Sequence, residues 1–285
     1  MQPLITLKEA EKILRAKEGE VKVSLDLGKS LTTVTKTVTH LRIPLGPVEG
    51  KPGEGQAEVL LSALKKVKEK TCYLIEDGAL KPVAFFSDES QFYYKLVPTK
   101  DWPTITFSST PMHTLESPKK RTEGFMREVS TALAAQGRAL DTCFGLGYTA
   151  IALSRKAVVD VFEKDPYPLH IAGINPWSVE AFQNERIKIH ETDITDGIKQ
   201  FKSGTFECII HDPPTPAYAR DLYEAPFHRE LYRVLKKGGV LFHYVANPKK
   251  TKGDLFYPKI VKSLEKAGFV KVEYHVETSG IRAVK

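Results

Sequence analysis

Cysteine is scarce. Cys72, Cys143 and Cys208 are widely spaced and form no CxxC pair, which excludes a zinc knuckle and a disulfide framework and fits a reducing compartment; no metal is expected. No run of 18 or more apolar residues occurs, so no transmembrane helix is expected. The start, MQPLITLKEAEKILRAKEGE, is charged and periodic and lacks the apolar core and cleavage site of a signal peptide, so a cytoplasmic location is expected. Asparagine is confined to positions 175, 184 and 247 while Lys and Glu abound, a bias that leans toward a heat-adapted source. Acids are outnumbered: 35 Asp and Glu face 42 Lys and Arg, a net charge of +7 spread over both halves. That excess fits a polyanionic partner such as RNA, and equally a solvated basic surface.

What is present is ordinary for a soluble globular chain of one or two domains: 285 residues, 41% hydrophobic and 27% charged. The pattern changes near residue 115. In residues 1–115, a helix over Leu4 to Lys17 precedes β-branched stretches (VKVSLDLG, TVTKTVTHLRIPL). A second helix is expected over GQAEVLLSALKKVKEK, then strands at CYLIED, KPVAFFS, QFYYKLV and TITFSS, the makings of a small α+β domain. Residues 116–137 are a connector and lead-in helix, drawn from the polar, Pro-containing stretch PMHTLESPKKRTEG (111–124) and from GFMREVSTALAAQG (124–137). Over 138–285, five candidate strands (RALDTC, AVVDVFEKD, RIKIHETD, FECIIHD and GGVLFHYVAN) are mostly separated by helical segments, and two short strands close the chain. Such alternation implies a parallel sheet covered by helices.

Ligands of open parallel sheets bind beyond the carboxyl ends of the strands, so the loops there carry the argument. The first, LDTCFGLGYTA, has Asp141 ending a strand and Gly145 and Gly147 before a helix near Tyr148. Two glycines allow a tight turn and close approach of a ligand; the absent third glycine disfavours a pyrophosphate cradle, and a plain strand-to-helix turn is the alternative. Glu163 falls 22 residues after Asp141, about where an acid meets ribose hydroxyls, and a carboxylate accepts two hydrogen bonds from a cis-diol. Asp165 is its alternative, or caps the next helix. Asp193, after the third strand, either accepts from an adenine amine or caps a helix. The fourth strand runs into HDPPT, where Pro213 and Pro214 end the strand and stiffen the loop behind Asp212.

Three acids after three successive strands beside a glycine loop resemble the class I S-adenosylmethionine-dependent methyltransferases over residues 139–285. The resemblance implies an α/β fold: a seven-stranded Rossmann-like sheet with an antiparallel seventh strand, beside the smaller α+β N-terminal domain. It implies S-adenosylmethionine as cofactor, held by Asp141, Cys143, Phe144, Gly145, Gly147, Tyr148, Thr149, Glu163, Lys164, Asp193 and Ile194. LYRVLKKGGVLFHYV, Leu231 to Val245, is similar to that family's helix, glycine turn and fifth strand. Within it, an acid followed by two prolines resembles the motif of enzymes that methylate planar exocyclic amines. The catalytic groups are then Asp212, Pro213 and Pro214, with the Asp212 carboxylate and the Pro213 carbonyl as acceptors for the amine. One departure is Thr215, where that motif has an aromatic residue; Tyr218 is the candidate replacement.

TFSSTPMHT and INPWS are similar to segments of an archaeal family that includes enzymes making N4-methylated cytidine in small-subunit ribosomal RNA. That likeness would put Met112 and His113 beside the pocket, with Asn175 and Trp177 in helix packing behind the cofactor. Basic residues Lys249 and Lys250 in NPKKTKG, and Lys119, Lys120 and Arg121 in the connector, would meet RNA phosphates. Three other functions stay open: a methyltransferase of another amine (guanine N2 or adenine N6 in tRNA or rRNA), a polyamine aminopropyltransferase, whose site needs several carboxylates, and an RNA-binding protein without catalysis. Cysteine-based C5 methylation is disfavoured because neither Cys143 nor Cys208 adjoins the proline pair.

Overall fold

A computed structural model describes residues 2–44, 56–88, 90–108, 110–112, 117–133, 137–245 and 256–285. It divides into two compact units, Met1–Pro118 with His170–Val179, and Lys119–Leu169 with Glu180–Lys285.

The first unit is built from small antiparallel sheets. One is four-stranded, Gly19–Val23, Thr32–Lys36, His40–Pro44 and Gln56–Leu60 in that order. Its inward residues Val21, Val23, Val34, Leu41, Ile43 and Val59 pack on Ala10 and Ile13 of the helix Leu7–Arg15. The helix expected over 55–70 is instead a strand, Gln56–Leu60, followed by one turn of helix, Leu61–Leu64. Pairing decided this: Val59 is buried opposite Leu41, while Glu58 bridges to Arg42 at 2.7 Å, a period-two pattern that overrides the helical propensity of the stretch. Trp177 is held in this unit by its Nε1, which donates to the Leu27 carbonyl at 3.0 Å, and Lys29 donates to the Pro176 carbonyl at 2.8 Å. Asn175 is fully buried and donates to Ser178 at 2.7 Å.

The second unit carries strands β1 (Gly137–Asp141), β2 (Ala157–Glu163), β3 (Ile187–Glu191), β4 (Phe206–His211), β5 (Leu235–Tyr244), β6 (Val270–His275) and β7 (Gly280–Val284). Their order is β3-β2-β1-β4-β5-β7-β6. Strands β1 to β5 are parallel, and β7 runs antiparallel to both neighbours, as the expected fold class requires. Its helices are α1 (Pro118–Val129), α2 (Tyr148–Ser154), α3 (Pro166–Ile174), α4 (Glu180–Gln183), α5 (Ile194–Gly197), α6 (Ala225–Val234) and α7 (Phe256–Ala267). The residues of α3 from His170 onward belong to the first unit. The central strand reads as a continuous buried run, Ala139, Leu140 and Asp141 being inaccessible, because a parallel sheet is covered on both faces. Part of the expected connector is helical: α1 starts at Pro118, a first-turn position where the missing N–H costs nothing. Sequence order reverses between β1 and β4, which opens a crevice at their carboxyl ends.

Candidate active site

Register aligns four acids along that edge. Asp141 of β1 lies opposite Val161 of β2 and Ile210 of β4. Glu163 and Asp212 each follow those partners by two residues, so they flank Asp141 on either side. Glu163 in turn pairs with Glu191 of β3, two residues before Asp193. With neighbouring strands about 4.8 Å apart, the acids form a row: Asp193, Glu163, Asp141, Asp212.

Each has a different environment. Asp141 is fully buried; Oδ2 accepts from the Thr149 hydroxyl, while Oδ1 has no partner. Burial, reinforced by Asp212 and Glu163, pushes it up to about 8 despite the Thr149 bond. Glu163 accepts one backbone N–H on each oxygen, from Gly145 and from Asp165, both at 3.2 Å. Burial nonetheless pushes it up to about 7. A carboxylate oxygen has two lone pairs, so each can accept one more bond. Asp193 caps α5, Oδ1 taking the Thr195 N–H at 2.9 Å and its hydroxyl at 2.8 Å. Burial pushes Asp193 up, but the Thr195 bonds and Lys164, at 3.5 Å, outweigh it and leave the group below its usual range.

The loop 142–147 spans β4 and β2: Thr142 N–H donates to Ile210 at 3.0 Å, Phe144 N–H to Phe162 at 2.8 Å. Gly147 closes it in the left-handed region (φ 72°), where a Cβ would lie 2.7 Å from the Phe144 ring. Only glycine fits that turn without strain. Cys143 lies in this loop with its thiol pushed well up by burial and by Glu163; burial pushes Cys208, inside β4, up to about 12. Thiols so shifted are poor nucleophiles. Phe144, Tyr148 and Ile194 are buried beside the row, and Lys164 is exposed.

At the β4 end, Asp212 bonds through Oδ1 to the Nη2 of Arg121 on α1. Burial raises Asp212 and Arg121 opposes it, the net shift being upward. The guanidinium lies over the rings of Tyr244, 3.9 Å from its centroid, and Phe125, at 5.0 Å. Arg121, expected to meet phosphate from a connector loop, is therefore a nine-tenths-buried partner of the candidate catalytic acid. The Tyr223 hydroxyl pins the proline loop, donating to the Pro214 carbonyl at 2.9 Å with the Pro213 carbonyl at 3.4 Å. Behind the loop, His211 is buried between the Thr142 hydroxyl at 2.8 Å and the Leu222 carbonyl at 2.9 Å. Burial pushes it down to about 3, so it is a neutral structural group.

The structure thus brings Asp141, Gly145, Gly147, Thr149, Glu163, Asp212, Pro213 and Pro214 to one edge. Thr215 and Tyr218 follow in an exposed turn, the Tyr218 N–H donating to the Thr215 carbonyl at 2.8 Å. Met112 belongs to the first unit, its N–H on the Ile105 carbonyl at 2.8 Å. Asn175 and Trp177 also lie in that unit. His113, Lys249 and Lys250 lie outside the described residues. Sequence reasoning named Arg121 but in another role, and missed Tyr223 and Tyr244; Tyr244 carried a signal, since it ends the fifth strand on the same edge as the acids.

Fold and edge define a Rossmann-like α/β chain with a row of acids at the carboxyl ends of its parallel strands. The chain belongs to the family of the uncharacterized protein MJ1233 of Methanocaldococcus jannaschii, to which it is 40% identical over 286 residues, 99% of this chain and 95% of the other. No family model matches. Among solved structures, the fold is shared with a spermidine synthase in complex with the transition state analogue AdoDATO (TM-score 0.61, 16% identity, 71% of this chain and 72% of that one). It is also shared with spermidine synthase from Thermotoga maritima (TM-score 0.58, 17% identity, 70% of each chain). Among the described residues, no helix is long and apolar enough to cross a membrane, and no cluster of His, Cys, Asp or Glu could hold a metal ion.

Proposed function

We propose that this chain is an S-adenosylmethionine-dependent N-methyltransferase acting on an exocyclic base amine of RNA, cytidine N4 of small-subunit ribosomal RNA being the best-fitting target. The observation that carries the reading is the acid row, with a buried, unpartnered Asp141 oxygen beside the glycine turn and a proline-stiffened Asp212. An orphaned carboxylate oxygen among mutually repelling acids suits a ligand that brings positive charge and hydrogen-bond donors. Asp141 would face the amino acid end of the cofactor, Glu163 would take the ribose diol on its two spare lone pairs, and Asp193, next to Ile194, would stand nearest the adenine. S-adenosylmethionine, when bound there, supplies an electrophilic methyl group.

The acceptor chemistry follows from the loop. An aromatic amine is a weak nucleophile because its lone pair is delocalised into the ring. Asp212 and the Pro213 carbonyl accept its two N–H bonds, which favours a pyramidal nitrogen and aims the lone pair. The prolines and Tyr223 hold both acceptors in place beforehand, so orientation and electrostatics do most of the work. The amine nitrogen, made acidic as it is alkylated, would give up a proton toward Asp212. The basic charge of the chain, with Lys249, Lys250, Met112, His113, Thr215 and Tyr218 as candidate contacts, supports an RNA substrate. A second reading, aminopropyl transfer to a polyamine, is favoured by the fold shared with spermidine synthases.

Incubation with isotopically labelled S-adenosylmethionine and small-subunit ribosomal RNA, followed by nucleoside mass spectrometry, separates the two. Labelled N4-methylated cytidine is expected. Asp212→Asn should lower transfer by about 10²- to 10³-fold while S-adenosylhomocysteine still binds. Unlabelled RNA, together with product from decarboxylated S-adenosylmethionine and putrescine, would favour the second reading.

A further inference from the structure

The charges along the acid row are compensated unevenly. Asp193 has Lys164 at 3.5 Å and Asp212 has Arg121 in direct contact. Between them, Asp141 and Glu163 have no cationic partner among the described residues. The row therefore has two acids without a cation at its centre and is charge-balanced at the β4 end.

Arg121 is not a surface residue that happens to reach the acid. Its side chain is 10% exposed, it projects from α1, and it is held against the rings of Tyr244 and Phe125. Stacking of a guanidinium on two aromatic rings fixes its position more firmly than a lone ion pair would. Asp212 consequently presents its second oxygen as a hydrogen-bond acceptor while the fixed guanidinium cancels its net charge. An alkylammonium ion brought to that oxygen would meet an immobile like charge in a poorly hydrated site, which is strongly unfavourable. A neutral aromatic amine carries no such penalty.

We propose that Arg121 is a specificity-determining residue: by neutralising Asp212 it reserves the β4 end of the crevice for an uncharged amine and rejects alkylammonium ions such as polyamines, leaving Asp141 and Glu163 for the positive charge of the cofactor. The inference rests on the exocyclic-amine reading of the same site. It acts through Asp212, by exclusion of wrong ligands rather than by contact with the right one.

The test is calorimetric titration of spermidine into the full chain saturated with S-adenosylhomocysteine, for the native protein and for R121L, R121K, D212N and the R121L/D212N double variant. Spermidine should bind the native chain and R121K equally weakly and R121L at least tenfold more tightly, and the gain should vanish in the double variant. Equal affinities of native and R121L chains, or a gain that survives removal of the Asp212 charge, overturn the proposal. Should R121L fail to fold, the native chain decides: spermidine affinity unchanged by D212N supports the proposal, and affinity lost in D212N overturns it. The outcome is independent of the RNA reading. Expected spermidine affinities without methyl transfer to RNA would sink the RNA substrate and leave the charge assignment standing.

Discussion

Asp141 shows how a residue can be legible in sequence while its chemistry is not. Its place at the end of the first strand marks it as a ligand-edge acid, but burial, with Asp212 and Glu163 near it, sets its proton affinity at about 8. An acid raised in this way holds a proton in the folded chain that the unfolded chain has released. The folded state is therefore favoured at low pH, and this contribution is lost as pH rises from the ordinary carboxylate range through about 8. A cationic ligand prefers the ionised form, so the linkage reverses on binding. S-adenosylhomocysteine, which keeps the ammonium group, should bind more tightly as pH rises from about 6 to about 9, with proton release visible as a buffer-dependent enthalpy. Asp141→Asn should flatten that rise; a pH-independent affinity in the native chain would break the assignment.

At the level of elements, β4, β5 and α6 bring three imidazoles into one buried layer. His211 and His243 lie with ring centroids 4.3 Å apart, and His228 and His243 with centroids 5.5 Å apart. His228 is tied to Ser263 of α7 at 2.7 Å, and burial pushes it down to about 4. A histidine depressed in the fold takes up a proton only on unfolding. Its contribution is present above about 6.5 and is lost as pH falls toward about 4. In His228→Gln, urea unfolding at pH values across that window should show an acid-side loss smaller than the native one by roughly 3 kcal/mol. An unchanged loss would mean that His228 is already protonated in the fold. The same elements show where local reading works. VVDVF and ECIIH are largely apolar, β-branched runs suited to a covered parallel strand, and they form β2 and β4. QAEVL misled because its Leu and Ala residues suit a helix, while its pairing with HLRIP, sixteen residues away at Arg42 and Glu58, does not show in a local window.

Across the whole molecule, the net charge of +7 is the feature that bears on an RNA partner. If lysines and arginines neutralise phosphates, the logarithm of RNA affinity should fall linearly with the logarithm of salt concentration, by about 0.7 to 0.9 per phosphate contacted. Filter binding of small-subunit ribosomal RNA between about 50 and about 200 mM salt measures this slope. Asp212→Asn should leave it unchanged, since the proposed function gives that acid the base rather than the backbone. An affinity insensitive to salt would remove the electrostatic argument for RNA.

Strand periodicity, the glycine turn and the proline pair determined the sheet and the edge on which the row of acids lies, because each depends on residues adjacent in the chain. Tertiary structure decided what those acids can do. Arg121 meets Asp212 across 91 positions, and the segment Ile174 to Ser178 packs with the first unit although it lies in the sequence between β2 and β3. The charge of a buried carboxylate is set by what surrounds it in three dimensions, and no pattern along the chain records that.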